Sequence, residues 1–181
     1  MGSYYFLIKK YPQARKYFQK ANNLDKNFAA SWIAFGHSFA AQDESEQAMA
    51  AYRSAARLFP GCHLANLFIG MEYLRMNNLQ TAIDFFKQAK EICPNDPLIF
   101  NEIGVCFYKL KDYDQAQENL GIAMSFCKDT NSQTYESVLL NLAHCHRKNK
   151  EYESAVSLYE QCLSINSGQA STLAALGFTL H

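Results

Sequence analysis

The chain has 181 residues, 49% of them apolar, with 17 basic and 17 acidic side chains and a formal net charge of zero. That length supports one domain with a real core, and the apolar fraction excludes a disordered chain. The balanced charge excludes a nucleic-acid or anionic-membrane surface built on bulk charge. The opening MGSYYFLIKK is too short and wrongly flanked for a secretory signal. No stretch approaches the roughly 18 apolar residues of a membrane span, so neither nucleic acid nor membrane is expected as a partner. The six cysteines, Cys62, Cys93, Cys106, Cys127, Cys145 and Cys162, form no C-x-x-C pair. Their scatter through apolar segments suits reduced, buried thiols in a protein of the nucleus and cytoplasm.

Taken in chain order, the apolar runs are interrupted by Gly2, Gly36, Gly70 and Gly104, each 34 residues after the last, then by Ala143 and Gly177. Alanines keep the same step at Ala14, Ala48, Ala82, Ala116 and Ala155, and again at Ala21, Ala55, Ala89 and Ala123, where Cys162 follows. Phe18, Tyr52, Phe86, Leu120 and Tyr159 form a third series, and Pro60 and Pro94 are also 34 apart. Each period reads as a helical hairpin. Its first helix carries the glycine and its second carries the alanines and the aromatic residue. A mid-helix glycine costs about 1 kcal/mol against alanine, which the close packing it permits offsets.

Residues 1–28 are then most of one repeat, 29–62, 63–96, 97–130 and 136–169 are full repeats, and 170–181 is the first helix of another. The chain thus begins and ends inside repeats, as a piece of a longer array would. Asp43-Glu44-Ser45 is expected to make a turn, and Pro60-Gly61 to stop a second helix. The five residues by which one step exceeds 34 fall near Lys128-Asp129-Thr130-Asn131-Ser132-Gln133, a polar stretch expected to bulge as a longer loop.

A 34-residue period with W-x2-L-G-x2-Y, then A-x3-F, then P, resembles the tetratricopeptide repeat. The second repeat carries it as Trp32, Phe35, Gly36, Phe39, Ala48, Tyr52, Ala55 and Pro60. The resemblance implies an all-α fold, a superhelical solenoid of antiparallel helix pairs. Ankyrin repeats, at 33 residues, need a T-P-L-H motif that is absent.

Catalytic signatures are missing: no G-x-x-x-x-G-K-[ST], G-x-S-x-G or H-E-x-x-H occurs. No enzyme activity, cofactor or metal is expected. His144-Cys145-His146 tempts a metal reading, but residues two apart on a helix point to different faces. Cys62-His63 has no paired second motif. Asp43, Glu44, Glu46, Asp112 and Asp114 read as a solvated face. What remains is a surface, because solenoids bind extended peptides or helices along their concave side. In the repeat this resembles, four first-helix positions line that side. Here they hold Ala30, Ile33, His37 and Ala40; Leu64, Leu67, Met71 and Leu74; Leu98, Asn101, Val105 and Tyr108; Ser137, Leu140, His144 and Arg147. The partner-binding set expected from them is Ile33, His37, Leu64, Leu67, Met71, Leu74, Asn101, Val105, Tyr108, Leu140, His144 and Arg147. An apolar lining in an accessible groove suggests an occupied interface. The plain alternative is that many of these side chains pack between neighbouring repeats.

Longer words narrow the resemblance. WIAFGHSFA, QAMAAYRSAARLFPGCHLANLFIGMEY, PLIFNEIGVCFYKLKDYDQA and LLNLAHCHRKNKEYESAVSLYEQCL look like the cell division cycle protein 16 family. The most telling pieces are Gly36-His37-Ser38-Phe39-Ala40 and Pro60-Gly61-Cys62-His63-Leu64. The chain departs from that family in a shorter insert near 129–134 and in Ala143, where a glycine is expected. The resemblance implies a scaffold subunit, without chemistry of its own, of the anaphase-promoting complex, a RING-type ubiquitin ligase of the cell cycle and mitosis. It implies stacking on sister tetratricopeptide subunits, a small accessory subunit whose extended segment lies in the groove, and a homodimeric full-length parent. Two other readings stand beside it. A co-chaperone adaptor gripping acidic tails needs a basic clamp that these positions lack. The arm of a glycosyltransferase needs an asparagine ladder, of which Asn101 and Asn141 make only a short one.

Overall fold

The structure, a computed structural model, describes residues 1–130 and 132–180. Among them every regular element is helical: α1 Gly2–Leu7, α2 Tyr11–Leu24, α3 Ala29–Ala40, α4 Ser45–Leu58, α5 His63–Arg75, α6 Leu79–Ile92, α7 Pro97–Lys109, α8 Tyr113–Phe126, α9 Gln133–Lys148, α10 Tyr152–Ile165 and α11 Ala170–Leu180. No helix is long and apolar enough to cross a membrane among the described residues. The chain divides into two compact units, Met1–Pro94 and Asn95–His181. In the first, α1 packs on α2, and so on in sequence as far as α5 on α6. In the second, α7 to α11 do the same, and α7 also touches α9.

The even-numbered helices are amphipathic with their buried residues at helical spacing: Ala48, Tyr52 and Ala55 on α4, Ala82, Phe86 and Ala89 on α6, Ala116, Leu120 and Ala123 on α8, and Ala155, Tyr159 and Cys162 on α10. Each turns that stripe onto the helix before it. The small residues of the odd-numbered helices are the floor under the rings. A Cβ built at Gly36 would stand 2.3 Å from Tyr52 Cε1, and one at Gly70 would stand 2.5 Å from Phe86 Cε1. A side chain at either place would have to push a buried ring aside. At the same place in its hairpin, Ala143 packs in a cluster with Ala155, Tyr159 and Ala175.

The turns repeat as strictly as the cores. Lys9, Asp43, Asn77, Lys111 and Lys150 have φ between 57° and 66°, one in each link from an odd to an even helix. Their spacing is 34, 34, 34 and 39 residues. Asp and Asn adopt this left-handed region more readily than Lys does. Asn78, Asp96, Asp112 and Ser132 cap the helices that follow them by accepting a backbone N–H. Helix α4 stops at Leu58, ahead of Pro60, with Phe59 leaving the helical region at φ −136°. Gly61 is not left-handed, so the glycine does not act as a cap. The same exit at Asp25 (φ −135°) and Asn166 (φ −138°) occurs without a following proline.

The five additional residues are divided between loop and helix. Six residues separate α8 from α9 where four separate α2 from α3, α4 from α5 and α6 from α7. Helix α9 has 16 residues against 13 in α5 and α7. The expected bulge therefore takes only two of the five, with Asn131 outside the described residues. Ser132 is the reason the helix starts early, since its hydroxyl accepts the Tyr135 N–H and caps the added turn.

Two arginines hold the end of α3 from either side. Arg15 on α2 donates to the Ser38 carbonyl at 3.0 Å and to Glu44 at 2.7 Å, with its guanidinium 4.0 Å over the Phe39 ring. Arg75 on α5 donates to the Ala40 carbonyl at 2.7 Å. Both satisfy carbonyls that a helix C-terminus leaves without intrahelical partners.

Candidate partner-binding faces

The candidate residues separate into buried and accessible groups. Leu67 is fully sealed, and Leu74 and Asn101 are 8% and 4% exposed. These three are corrections to the expected binding set. Their helices are covered on more than one side, so these positions turn inward and offer no surface to a partner. Ile33, His37, Leu64 and Met71 in the first unit, and Val105, Tyr108, Leu140, His144 and Arg147 in the second, are half-buried. Ile33 leans on the cluster of Ala40, Ala48, Tyr52 and Ile69, and Leu140 leans on that of Ala143, Ala155, Tyr159 and Ala175.

Asn101 spends its amide within the protein. Its oxygen accepts from Asn141 Nδ2 at 3.0 Å, and its nitrogen donates to Glu102 Oε1 at 3.0 Å. Burial pushes the Glu102 carboxyl up, and the Asn101 bond opposes that shift. The asparagine that reaches the surface is Asn141, at the end of this chain of bonds. With Val105, Tyr108, Leu120, His144 and Cys145 it lines a recess of about 40 Å³. Leu120 on this wall stands where α4, α6 and α10 have Tyr52, Phe86 and Tyr159. Sequence reasoning left Asn141 out of the set. The signal was its place three residues before His144, on the same accessible side of α9.

The two histidines have the same setting in different units. His37 Nδ1 lies 2.8 Å from the Tyr52 hydroxyl, and His144 Nδ1 lies 2.6 Å from that of Tyr159. The His37 ring also meets Phe68 edge-on, with centroids 4.3 Å apart. Burial holds His37 below the ordinary histidine range. Burial does the same at His144, helped by the charges of Arg147 and Lys148. Burial raises both Tyr52 and Tyr159, so the phenols stay protonated.

The other members of His144-Cys145-His146 point elsewhere. Cys145 is sealed in the core with its thiol pushed up to about 12. His146 pairs with Glu151 across the α9–α10 turn and with Gln117 on α8. No group of three or more potential ligands could hold a metal ion among the described residues. The faces therefore offer apolar surface, a few hydrogen-bonding groups and one cation, Arg147.

Residues 33–97 and 97–179 each match a tetratricopeptide-repeat family model. The chain is 46% identical over its full length to anaphase-promoting complex subunit 6 of Arabidopsis thaliana, covering 33% of that protein. It is 39% identical over 98% of its length to anaphase-promoting complex subunit CDC16 of Saccharomyces cerevisiae, covering 21% of that protein. Its fold matches a chain in the crystal structure of the APC/C hetero-tetramer Cut9-Hcn1, with a TM-score of 0.89 and 34% identity over 98% of this chain and 35% of that one. The chain thus spans a fifth to a third of the length of these relatives.

Proposed function

From a chain that belongs to the tetratricopeptide-repeat family and, within it, to the group of Cdc16, subunit 6 and Cut9, we propose a non-catalytic scaffold segment of an anaphase-promoting complex subunit. The observation that carries this reading is similarity along essentially the whole chain to proteins named as subunits of that complex, together with a matching backbone. In this reading the complex is the RING-type ubiquitin ligase of the cell cycle, at work in the nucleus and cytoplasm, and this chain contributes binding faces to it.

The half-buried faces of α3 and α5, and of α7 and α9, take an extended segment of a small accessory subunit. Cut9 is partnered by Hcn1 in the matched structure. Affinity here comes from apolar burial at Ile33, Leu64, Met71, Val105 and Tyr108, with a weak dependence on salt. Sister tetratricopeptide subunits stack on the array, and the parent protein self-associates. Acidic-tail binding is disfavoured, because Arg147 is the one cation among the half-buried candidate residues.

The test is affinity purification of the full-length parent from its own cells, with mass spectrometry of what accompanies it. Recovery of other anaphase-promoting complex subunits in constant proportion is the expected result. Chaperones without those subunits would overturn the reading.

A further inference from the structure

Histidine and tyrosine occur together in this chain, repeat by repeat. Where the second helix of a hairpin carries Tyr52 or Tyr159, the residue after the small one on the first helix is His37 or His144. Where it carries Phe86 or Leu120, that residue is Met71 or Val105. Folding does not need the polar pair, because Met71 with Phe86 serves the same position in the same architecture. The pair adds a ring whose protonation pattern is fixed. Among the described residues the Tyr52 hydroxyl has no other hydrogen-bonding acceptor than His37 Nδ1. The Tyr159 hydroxyl, on a side chain sealed in the core, likewise meets His144 Nδ1, at 2.6 Å. With a neutral ring and Nδ1 acting as acceptor, the ring proton is on Nε2. Neither Nε2 is among the buried polar atoms lacking a partner, and each half-buried ring lines a surface recess.

We infer that Tyr52 and Tyr159 are positioning residues, which lock His37 and His144 in the Nε2–H form so that each offers a fixed N–H donor to a main-chain carbonyl of an extended peptide. This deepens the peptide-binding reading proposed above and rests on it. The locked ring is ready to donate without first choosing a tautomer. Asn141, beside His144 on the same recess, offers a second polar contact within one turn of helix.

The test has two parts on the 181-residue chain. Long-range 1H–15N correlation spectra of 15N-histidine-labelled protein at neutral pH read the tautomer directly, with assignments from H37Q and H144Q. Both rings are expected to show a protonated Nε2 and a bare Nδ1, and Y52F and Y159F are expected to convert them to mixtures. A protonated Nδ1, or spectra unmoved by the phenylalanine variants, overturns the inference. Calorimetric titration with Hcn1, the protein paired with Cut9 in the matched structure, reads the consequence. Y159F should weaken binding about twofold, because an even mixture of tautomers leaves about half of the rings ready to donate. H144Q/Y159F should recover most of it, because an amide N–H has no tautomer to set. Binding unchanged in Y52F and Y159F overturns the inference alone. No binding by the unaltered chain overturns the peptide-binding reading with it.

Discussion

The same substitution, glycine to alanine, should move stability in opposite directions at two helical positions. At Gly121 on α8 a new Cβ meets nothing within 4 Å. Only the helix preference acts there, and Gly121→Ala should stabilise by about 1 kcal/mol. At Gly70 the Cβ would stand 2.5 Å and 2.7 Å from Phe86 Cε1 and Cδ1. That ring is fully buried, so it cannot swing into solvent. Overpacking of this kind costs about 1–3 kcal/mol. Set against the same gain of about 1 kcal/mol, Gly70→Ala should destabilise by about 1 kcal/mol. The two variants should thus differ by about 2 kcal/mol, or roughly 4–8 °C in melting temperature for a chain of this length. Thermal melts followed by circular dichroism in one buffer measure it. Gly70→Ala melting at or above the parent temperature would refute the close-packing account of the 34-residue glycine series.

Other expectations follow from the turns, the faces and the histidines. Lys111→Gly and Lys150→Gly relieve left-handed residues worth about 1–2 kcal/mol each and return about 0.5–1 kcal/mol as chain entropy. Each should therefore raise the urea midpoint modestly, while Asn77→Gly should leave it nearly unchanged. Leu67→Asp should unfold the first unit, because the site is sealed and a lone buried charge is not tolerated. Met71→Lys, half-buried, should keep full helicity and lower Hcn1 capture, with ellipticity and pull-down yield read on the same samples. His37 and His144 are held below the ordinary value of 6.5 by burial, so protonation favours the unfolded chain. Stability should be unaffected above that value and lost as pH falls from it through the lowered folded-state values. H37M/Y52F, which copies the Met71–Phe86 pair, should flatten that part of the melting-temperature profile measured against pH.

The hairpins were legible because their signal is redundant, with glycines, alanines and aromatics all keeping a lag of 34. Where evidence came from one residue at a time, the reading was weaker. The positions expected to face a groove were assigned by register alone. Register cannot tell that Leu67, Leu74 and Asn101 are covered from a second side while Met71 and Val105 are not. Asn101 looked like a ligand-reading amide, and only its bonds to Asn141 and Glu102 show it already engaged. The five added residues read as a loop because they are polar, whereas the cap at Ser132 turns three of them into helix. The left-handed lysines keep the period too, but lysine carries no local preference that would single them out. The His–Tyr pairs were present in the sequence as a matched substitution between two helices. The meaning of that match depended on a hydroxyl and a ring nitrogen meeting.

The arginines that grip the end of α3 bear on how the first unit comes apart. Arg15 reaches forward from α2 and Arg75 reaches back from α5, so the α3–α4 hairpin cannot fray without releasing a guanidinium that belongs to a neighbour. In an array where contacts run only between neighbours, such ties set the width of the melting transition more than its midpoint. Several of their contacts are charged and partly exposed, so an electrolyte weakens them. The first unit should accordingly melt as one zipper in dilute buffer and hairpin by hairpin in concentrated salt, with a broader transition.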